Sequence, residues 1–454
     1  MNPGLFFFIF SCLELVPVVY EYIKYSFPIL HNMQMKEALL LLNQWWLTGK
    51  VDPGLKKEFR RDQYIDLRKL VIQPQGVVIV SGLRRVGKST LIYQVIDELL
   101  QTDKPESFVY FSYDFSFGEI AEVLDTYQSL TNVDWKHEKV TVFLDEIQKH
   151  RNWSSEIKIL YDLFPHLKFV VTGSASLQLE KDAANDLAGR YFMLEIPVLS
   201  IMEYYSIKSG DSSNNVQLII PDLRNLLDEY MRKPFPELVN VSSRQNISEY
   251  IRETVTAKIV APDIAEKFEK VDIQLILSLL EYFLSEPGII LNVDKMSQNF
   301  GKRKAEIDRH IGILEYSKLI RILKNYRPSM LSESRKLRKV YPYDISLSLA
   351  DFPSVEYGKI VETKAITTLG ATRYWREGNK EVDCILFDGR EMTPVEVKST
   401  KVIRDEHFAG LRYFIKKFGA KKGVLIYMGE DQSRDQIELK SFIHLLVSQN
   451  NTKS

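Results

Sequence analysis

The residues with the clearest chemical role lie in the segment GLRRVGKST, Gly82 to Thr90, which fits G-x-x-x-x-G-K-[ST] in full. Its glycines let the backbone wrap closely around phosphate groups, and the amides of the helix that follows point at the bound anion. Lys88 supplies a mobile positive charge, and the Ser89 hydroxyl is placed to bind Mg²⁺. The sequence therefore predicts a nucleoside triphosphate site. Its binding residues are Gly82, Leu83, Arg84, Arg85, Val86, Gly87, Lys88, Ser89 and Thr90.

The surroundings of this segment favour a phosphate loop over a chance match in a Gly/Lys loop. Gly76 to Val80 is apolar and predicts a buried strand, while apolar residues recur at helical spacing from Leu91 to Leu99. A loop between a strand and a helix is the context in which this motif binds phosphate. ATP and Mg²⁺ are accordingly the expected ligands.

A second motif, VTVFLDE at Val140 to Glu146, ends in two acids. A buried strand there delivers Asp145 to the carboxyl edge of a parallel sheet, beside the phosphate loop. Asp145 would hold Mg²⁺ through its waters, and Glu146 would polarise the attacking water. For an Asp-Glu pair taken alone, a plain strand-to-turn exit is the alternative. Its place on the next suitable strand after the loop favours the nucleotide site.

Two further segments carry candidate residues with open alternatives. In FVVTGSAS, Phe169 to Ser176, Thr172 or Ser174 suits a sensor of the γ-phosphate, and a turn rich in Gly and Ser is the alternative. In LAGR, Arg190 precedes a strand and would stabilise the transferring phosphate, in cis or across a subunit boundary. A solvated surface arginine is the other interpretation, and the sequence does not choose between them.

Apolar runs after the phosphate loop have the spacing of a βα repeat, with helical or irregular sequence between them. They are Phe108–Ser112, Val140–Leu144, Lys168–Thr172 and Tyr191–Ile196. Strands that alternate with helices imply a parallel sheet covered on both faces. The predicted fold class is therefore α/β, with several domains.

The segments GLRRVGKST, FLDEIQ, VTGSAS and LAGRYFMLEIPVLSIMEYY together resemble the archaeal and bacterial AAA-type ATPases related to the STAND class. Trp45-Trp46 and FRRDQY, Phe59 to Tyr64, resemble the lead-in of that family. In YMRKPFPEL, Lys233-Pro234 stands where the family usually has Gly-Gly, which affects the local turn and not the nucleotide site. The resemblance implies that residues 206–262 form a helical lid beside the nucleotide.

The segment Ile273 to Leu323 has the pattern of a winged helix-turn-helix. An apolar first helix precedes a short helix at Val293–Phe300, a turn at Gly301, a third helix and the wing strand KLIRIL. The outward residues of the third helix are expected to include Lys302, Arg303, Lys304, Arg309 and His310. A basic recognition helix suits docking in the major groove of DNA. A module used only for packing, with solvated lysines, is the alternative.

The C-terminal region holds a second candidate site. Gly358 to Leu369 predicts a helix that carries Glu362, Asp383 lies in a strand, and MTPVEVKST carries Glu396 and Lys398. Residues two apart face the same side of a strand, so Glu396 and Lys398 converge. With Asp383 on an adjacent strand they would complete a Mg²⁺ site, in which Lys398 positions or activates water.

This order of helix, strand acid and Glu-x-Lys resembles the restriction-endonuclease-like core. The resemblance implies metal ligands at Glu362, Asp383 and Glu396, with Lys398 as a catalytic residue. A surface ion pair is the alternative for Glu-Val-Lys. Cleavage of DNA is a separate expectation, since proteins with this fold can retain such residues for structure or binding.

Composition bounds the remaining choices. The chain is 45% hydrophobic and 26% charged with a formal net charge of zero, which is typical of a soluble protein, so any nucleic-acid binding must come from local patches. Cys12 and Cys384 are its only cysteines, which excludes a disulfide scaffold and a cysteine-based zinc site. This usage fits a reducing cytoplasm, where we expect the protein.

The N-terminal residues are treated separately. Leu5 to Leu13 is apolar, but Glu14 ends the run well short of the ~20 apolar residues of a spanning helix. The features of a signal peptide are also absent. Residues 1–34 therefore read as an extension, with the authentic start at Met33 or Met35, and no membrane role is expected. A membrane anchor is the alternative.

The chain of 454 residues has room for about three domains. The predicted boundaries are 1–34 for the extension, 35–205 for a P-loop AAA-type ATPase domain, 206–262 for the lid, 263–335 for the winged helix-turn-helix and 336–454 for a restriction-endonuclease-like domain. The leading hypothesis is a Mg²⁺-dependent ATPase whose nucleotide state controls a DNA-directed effector, with DNA and further copies of the chain as partners. The alternative is a non-cutting signalling switch whose C-terminal domain binds proteins.

Overall fold

The computed structural model describes residues 34–114, 118–173, 183–211, 215–264, 268, 270–328 and 337–448. Ser174 and all but the last residue of the expected extension lie outside these ranges. The chain forms two compact bodies, of which the first comprises 34–81, 88–173 and 183–194. The second comprises 82–87 and the described residues from 195 onward. Within the described ranges, no helix is long and apolar enough to cross a membrane.

A sheet of five strands lies at the centre of the first body, in the order β2-β3-β4-β1-β5. The strands are β1 (Val77–Ser81), β2 (Phe108–Ser112), β3 (Val140–Asp145), β4 (Leu167–Gly173) and β5 (Tyr191–Glu195). The first four pair in parallel, and each of their residues is buried. The predicted parallel sheet is confirmed, with strand bounds that match the apolar runs to within one residue.

Helices cover this sheet because each of the longer ones carries an apolar stripe at helical spacing. They are α1 (Met35–Leu42), α2 (Trp45–Thr48), α3 (Pro53–Lys56), α4 (Tyr64–Ile72), α5 (Lys88–Leu99), α6 (Ile120–Thr131) and α7 (Trp153–Leu163). The indoles of Trp45 and Trp46 donate to the Phe108 carbonyl at 3.2 and 2.9 Å. These two hydrogen bonds fix the N-terminal helices to the start of β2.

The second body contains a group of helices, the first of which begins at a capping box formed by Ser200 and Glu203. They are α8 (Ile201–Ser209), α9 (Val216–Arg232), α10 (Arg244–Tyr250) and two π-helical turns, Ile251–Thr256 and Ile259–Ile264. Buried residues of α8 and α9 share one hydrophobic core with residues after 320. The segment expected to act as a lid is therefore anchored in the core of the C-terminal half, and its contact with nucleotide stays a prediction.

The three helices and the strand expected within Ile273 to Leu323 are present, and the winged helix itself stays a prediction. The elements are α11 (Ile273–Ser285), β6 (Ile289–Ile290), α12 (Val293–Phe300), α13 (Lys304–Tyr316), β7 (Ile320–Asn325) and β8 (Lys339–Pro342), of which β6 and β8 were not predicted. Gly301 ends α12 in the left-handed region at φ 61°, where a glycine is favoured. The prediction of an outward His310 is wrong. Its ring is 1% exposed, lies between the inward positions Ile307 and Ile311, and accepts the Asp272 N–H at Nε2, 3.1 Å away.

The C-terminal elements complete a sheet of nine strands, in the order β13-β14-β12-β11-β10-β9-β7-β8-β6. They are α14 (Ile345–Asp351), α15 (Tyr357–Thr368), β9 (Arg373–Glu377), β10 (Lys380–Asp388), β11 (Glu391–Lys398), α16 (Ala409–Phe418), β12 (Gly423–Tyr427), β13 (Gln432–Arg434), β14 (Ile437–Ser441) and α17 (Phe442–Ser448). β7 pairs in parallel with β9, through Lys324 with Arg373 and Asn325 with Tyr374. Strands β6, β7 and β8 therefore form one continuous sheet with the C-terminal strands.

Candidate functional site

The phosphate-loop residues connect the end of β1 to the start of α5. Gly82 has to be glycine, because a Cβ there would lie 2.3 Å from the Ile196 carbonyl oxygen. Gly87 has a φ of 94°, and Arg85 also lies in the left-handed region at 68°. Lys88 is the first residue of α5 and only 5% of it is exposed. The backbone therefore places a buried ammonium at the amino end of a helix, which favours anions.

Asp145 ends β3 with a carboxylate that accepts three hydroxyl hydrogen bonds. The Ser89 hydroxyl donates to Oδ2 at 2.7 Å, and the Tyr110 hydroxyl donates to the same oxygen at 2.6 Å. The Thr172 hydroxyl donates to Oδ1. The structure thus brings together Ser89 and Asp145, the two residues predicted to share Mg²⁺. Their oxygens are the hard donors that this ion prefers, so the residues fit the predicted ligand.

Glu146 lies at the turn that follows β3, in a conformation uncommon for a residue with a side chain. Its φ is 51°. Its N–H donates to Asp145 Oδ1 at 3.1 Å, and its carboxylate accepts a hydrogen bond from the Gln148 amide. Backbone strain of this kind is commonly found at functional sites. Glu146 thus contacts Asp145 through its backbone, Gln148 holds its carboxylate, and its action on water stays a prediction.

Thr172 and Arg190, the other candidates in this body, lie in different places. Thr172 is fully buried, and its hydroxyl donates to Asp145. This hydrogen bond gives Thr172 a structural role, and its role as a γ-phosphate sensor stays a prediction. The Arg190 carbonyl accepts the Val77 N–H at 2.7 Å, at the amino end of β1. Ser81, at the other end of β1, is about 13 Å from Val77, since each strand residue adds about 3.3 Å.

The cis role considered for Arg190 is therefore wrong within this body, since the side chain lies at the opposite edge of the sheet from Asp145. Its guanidinium instead pairs with Asp162, with Nε and Oδ1 3.0 Å apart, and the arginine side chain is 38% exposed. An exposed arginine remains available to a second copy of the chain. The role across a subunit boundary stays a prediction.

Tyr110 is a site residue that the sequence reasoning missed. It is buried in β2, its ring packs at a tilt against Tyr93 with centroids 4.7 Å apart, and its hydroxyl donates to Asp145. Burial, and then the nearby Asp145 carboxylate, raise the pKa of the Tyr110 hydroxyl well above its ordinary value, so it remains a donor. A tyrosine inside an otherwise apolar strand was the available signal, because a buried phenol needs a partner.

The substitution Tyr110→Phe should lower ATP hydrolysis modestly and cost about 1 kcal/mol of stability, the net value of one hydrogen bond. Asp145 keeps its Ser89 and Thr172 donors, which is why the loss is partial. Tyr127→Phe is the matched control, because the buried Tyr127 hydroxyl donates to the Glu106 carbonyl instead. Phosphate release and urea denaturation measure both effects. Equal activity loss in the two variants would contradict a role for Tyr110 at the site.

The second candidate site forms on β10 and β11, which pair antiparallel with Cys384 opposite Val395. Lys398 Nζ lies 2.6 Å from Glu396 Oε1, so these two side chains converge. The neighbouring valines of β11, at 395 and 397, are buried. Asp383 Oδ2 accepts the N–H of Val397 at 2.8 Å. The sequence placed these three side chains on one face of two adjacent strands, and the structure has them there.

Glu362 has two close partners of its own. The Tyr341 hydroxyl donates to Glu362 Oε1 at 2.6 Å, and Lys339 Nζ lies 3.4 Å from the same oxygen. Among the described residues, Glu119, His150 and Glu156 are the one set of three or more acidic, histidine or cysteine residues whose ligand atoms lie within 4.8 Å of one another. The ligand atoms of Glu362, Asp383 and Glu396 are therefore not that close together, and their metal site stays a prediction.

The remaining pair still has the properties of a cation site. Glu396 Oε2 is buried and has no hydrogen-bond partner among the described residues. Burial, and then the charges of Glu396 and Glu362, raise the pKa of Asp383 well above its ordinary value. Burial lowers the pKa of Lys398, but Asp383 and Glu396 outweigh it and raise that pKa overall. Lys398 is therefore a fixed ammonium, which suits positioning of water or phosphate better than removal of a proton.

Two of the basic residues expected on the recognition helix are paired with acids. Lys302, just before α13, has its Nζ 2.6 Å from Asp272 Oδ2 and 3.6 Å from Glu306 Oε1. Lys304 pairs with Asp294, whereas Arg309 donates to the Lys270 carbonyl at 3.2 Å. The two ion pairs offset part of the positive charge that the sequence assigned to a recognition helix. DNA binding there would have to compete with them.

Comparison with known proteins covers three parts of the chain. Residues 74–205 match the family described as an AAA domain. Residues 224–351 and 360–445 match two families that are each described as a domain of unknown function. The nucleotide motifs and the five-stranded sheet lie inside the first match, and the acidic residues of the second site lie inside the third.

Similar proteins are themselves uncharacterized. One from Haemophilus influenzae is 26% identical over 274 residues, which are 60% of this chain and 65% of that protein, slightly under two thirds of its length. MJ1544 from Methanocaldococcus jannaschii is 24% identical over 344 residues, 71% of this chain and 75% of that protein. MJ1637 from the same organism is 25% identical over 317 residues, 64% of each chain.

Solved structures also show similarity. The Walker-type ATPase PABY2304 of Pyrococcus abyssi has 13% identity and a TM-score of 0.41, covering 67% of this chain and 99% of that one. The Aeropyrum pernix ORC2 protein has 12% identity and a TM-score of 0.39, covering 65% and 94%. The phosphate loop, the Ser89–Asp145 pair and the parallel sheet all lie within residues 74–205, the segment that is similar to the family described as an AAA domain.

Proposed function

We propose that this protein binds ATP at its phosphate loop and hydrolyses it with Mg²⁺. The observation that carries the proposal is the 2.7 Å hydrogen bond between Ser89, on the first turn of α5, and Asp145, at the end of β3. A phosphate loop and an acid-ended strand meet there, at the carboxyl edge of a parallel sheet. This is the place where open α/β sheets bind nucleotides.

Each residue has a defined part in the proposed reaction. The loop amides and the Lys88 ammonium bind the phosphates, while Ser89 and Asp145 would hold Mg²⁺, which offsets the charge of the transferred phosphoryl group. Glu146 orients the attacking water and accepts its proton, and Gln148 holds the Glu146 carboxylate in position. Arg190 of a second copy of the chain would stabilise the same charge from outside.

The test is phosphate release by the purified protein. With ATP and Mg²⁺ the protein should release phosphate, and chelation of Mg²⁺ with EDTA should stop the release. Nucleotide binding without release would leave a binding protein and contradict the proposed hydrolysis. If a second copy of the chain contributes Arg190, the rate of phosphate release per molecule should rise with protein concentration. This rise should be lost in Arg190→Ala.

We further propose that the nucleotide state controls a DNA-directed effector formed by the second body. The element order α15, β9, β10, β11, α16, β12 supports a restriction-endonuclease-like core at 336–454, and Asp383, Glu396 and Lys398 lie on its central strands. The helix and strand order at 263–335 supports a winged helix, which would bring this core to DNA.

A non-cutting switch with a C-terminal protein-binding domain is the second candidate. It is favoured by the acid partners of Lys302 and Lys304. Labelled duplex DNA incubated with the protein, ATP and Mg²⁺ or Mn²⁺ distinguishes the two. Binding that weakens steeply with salt, together with cleavage, supports the effector. Absence of binding at low salt supports the switch.

A further inference from the structure

Lys339 is a buried lysine at the start of β8 that belongs to neither predicted motif. Only 6% of the residue is exposed. Its ammonium lies 3.4 Å from Glu362 Oε1 and forms an ion pair with Glu381 of β10. The face of the Tyr374 ring lies 5.3 Å from the same nitrogen. Strand β8 thus places a positive charge next to the acidic residues Glu362 and Glu381.

Lys339 faces acids on two elements, Glu362 of α15 and Glu381 of β10. A buried charge is tolerated where it is paired in this way. The ammonium is therefore the counter-ion of these acids. It attracts the same carboxylates that a divalent cation would need.

The contacts of Glu362 show what this ammonium occupies. Glu362 Oε1 accepts from Tyr341 and faces Lys339, whereas Glu396 Oε2 is buried without a hydrogen-bond partner in the described part of the chain. A cation bound by Asp383 and Glu396 would therefore have to compete with Lys339 for Glu362. It would also be repelled by an ammonium in a site where charges are weakly screened.

We propose that Lys339 is an internal competitor of the divalent cation, which pairs with Glu362 and so weakens cation binding at the C-terminal site. The inference rests on the cation site included in the proposed effector function. It makes Lys339 a positioning residue for Glu362. Removal of the ammonium should strengthen cation binding, although it removes a partner from two acids.

The experiment is titration of Mn²⁺ into the nucleotide-free full-length chain, with bound ion followed by electron paramagnetic resonance. Lys339→Met should bind Mn²⁺ at least about ten-fold more tightly than the unmodified protein, because one nearby positive charge is gone. The tighter binding should disappear in Lys339→Met/Asp383→Asn, which assigns it to this cluster rather than to the phosphate loop. Lys421→Met, which removes an exposed lysine paired with Glu391, is the control and should change nothing.

The outcomes separate the inference from the function on which it rests. If the unmodified protein binds Mn²⁺ through Asp383 and folded Lys339→Met binds it no more tightly, Lys339 is not a competitor and the cation site stands. If none of the variants binds through Asp383, the cation site and the inference both fall. Should Lys339→Met fail to fold, Lys339→Met/Glu381→Gln removes the ion pair as a unit. This variant must then show the same tightening, or the proposal is overturned.

Discussion

Replacement of Lys88 by alanine should reduce ATP hydrolysis by at least about 100-fold, the effect of removing one charge-stabilising donor from an active site. The Lys88 side chain starts at the first residue of α5 and is nearly fully buried, so water cannot readily replace its charge. The variant should also bind ATP more weakly, because the ammonium contacts the phosphates before and during transfer. Steady-state phosphate release and ATP titration measure the two effects separately.

Lys69→Ala is the matched control for this variant. Lys69 is an exposed lysine on α4, in the same body as Lys88 and outside the proposed site. Its loss should leave hydrolysis unchanged. Circular dichroism and thermal unfolding of both variants exclude misfolding as the cause of lost activity. Undiminished hydrolysis in folded Lys88→Ala would refute the assignment of the nucleotide site.

The substitution Asp383→Asn should have two opposite effects, a loss of any DNA cleavage and a gain in stability at neutral pH. Cleavage requires the carboxylate as a cation ligand. Stability increases because the native carboxylate is buried beside Glu396 and Glu362, both of which disfavour its charge. Asparagine keeps an oxygen that can accept the N–H of Val397. We expect a gain of about 1 kcal/mol or more in the free energy of unfolding, because burial of an incompletely paired charge is costly.

The sign of the pH dependence follows from the raised pKa of Asp383. The folded protein holds this proton to a higher pH than the unfolded chain does, so the wild type loses stability as the pH rises from the ordinary carboxyl pKa through the folded one. The advantage of Asp383→Asn should therefore be largest at pH 8 and smaller at pH 5. Urea unfolding at both values measures it, with the exposed Asp388→Asn on the same strand as control. A variant less stable than wild type at pH 8 would contradict the assigned cause.

Local patterns were sufficient to predict the strands and motifs of the first body. Apolar runs at strand length and the fixed spacing of GLRRVGKST are visible in the sequence alone, and the bounds of β2 match prediction to the residue. The convergence of Glu396 and Lys398 also followed from the period of a strand. In each case the relevant residues are neighbours along the chain, so their geometry does not depend on the rest of the fold.

The errors concern contacts between distant segments. Tyr110 reaches Asp145 only because β2 and β3 are adjacent, and Lys339 reaches Glu362 from a separate strand. The position of Arg190 depends on the edge of the sheet at which β5 begins. The spacing of residues along the sequence does not determine that edge. His310 lies at the boundary of an apolar stripe, where helical periodicity allows either face.

The parallel pairing of β7 with β9 has a consequence for how this chain can be inherited. The boundary between the two matched families of unknown function falls between 351 and 360, yet β7 lies on one side of it and β9 on the other. A gene fusion that carried residues 360–445 alone would leave β9 with an open edge, and Glu362 without Tyr341 and Lys339. We therefore expect recombination to transfer residues 224–351 and 360–445 together, although they match two separate families.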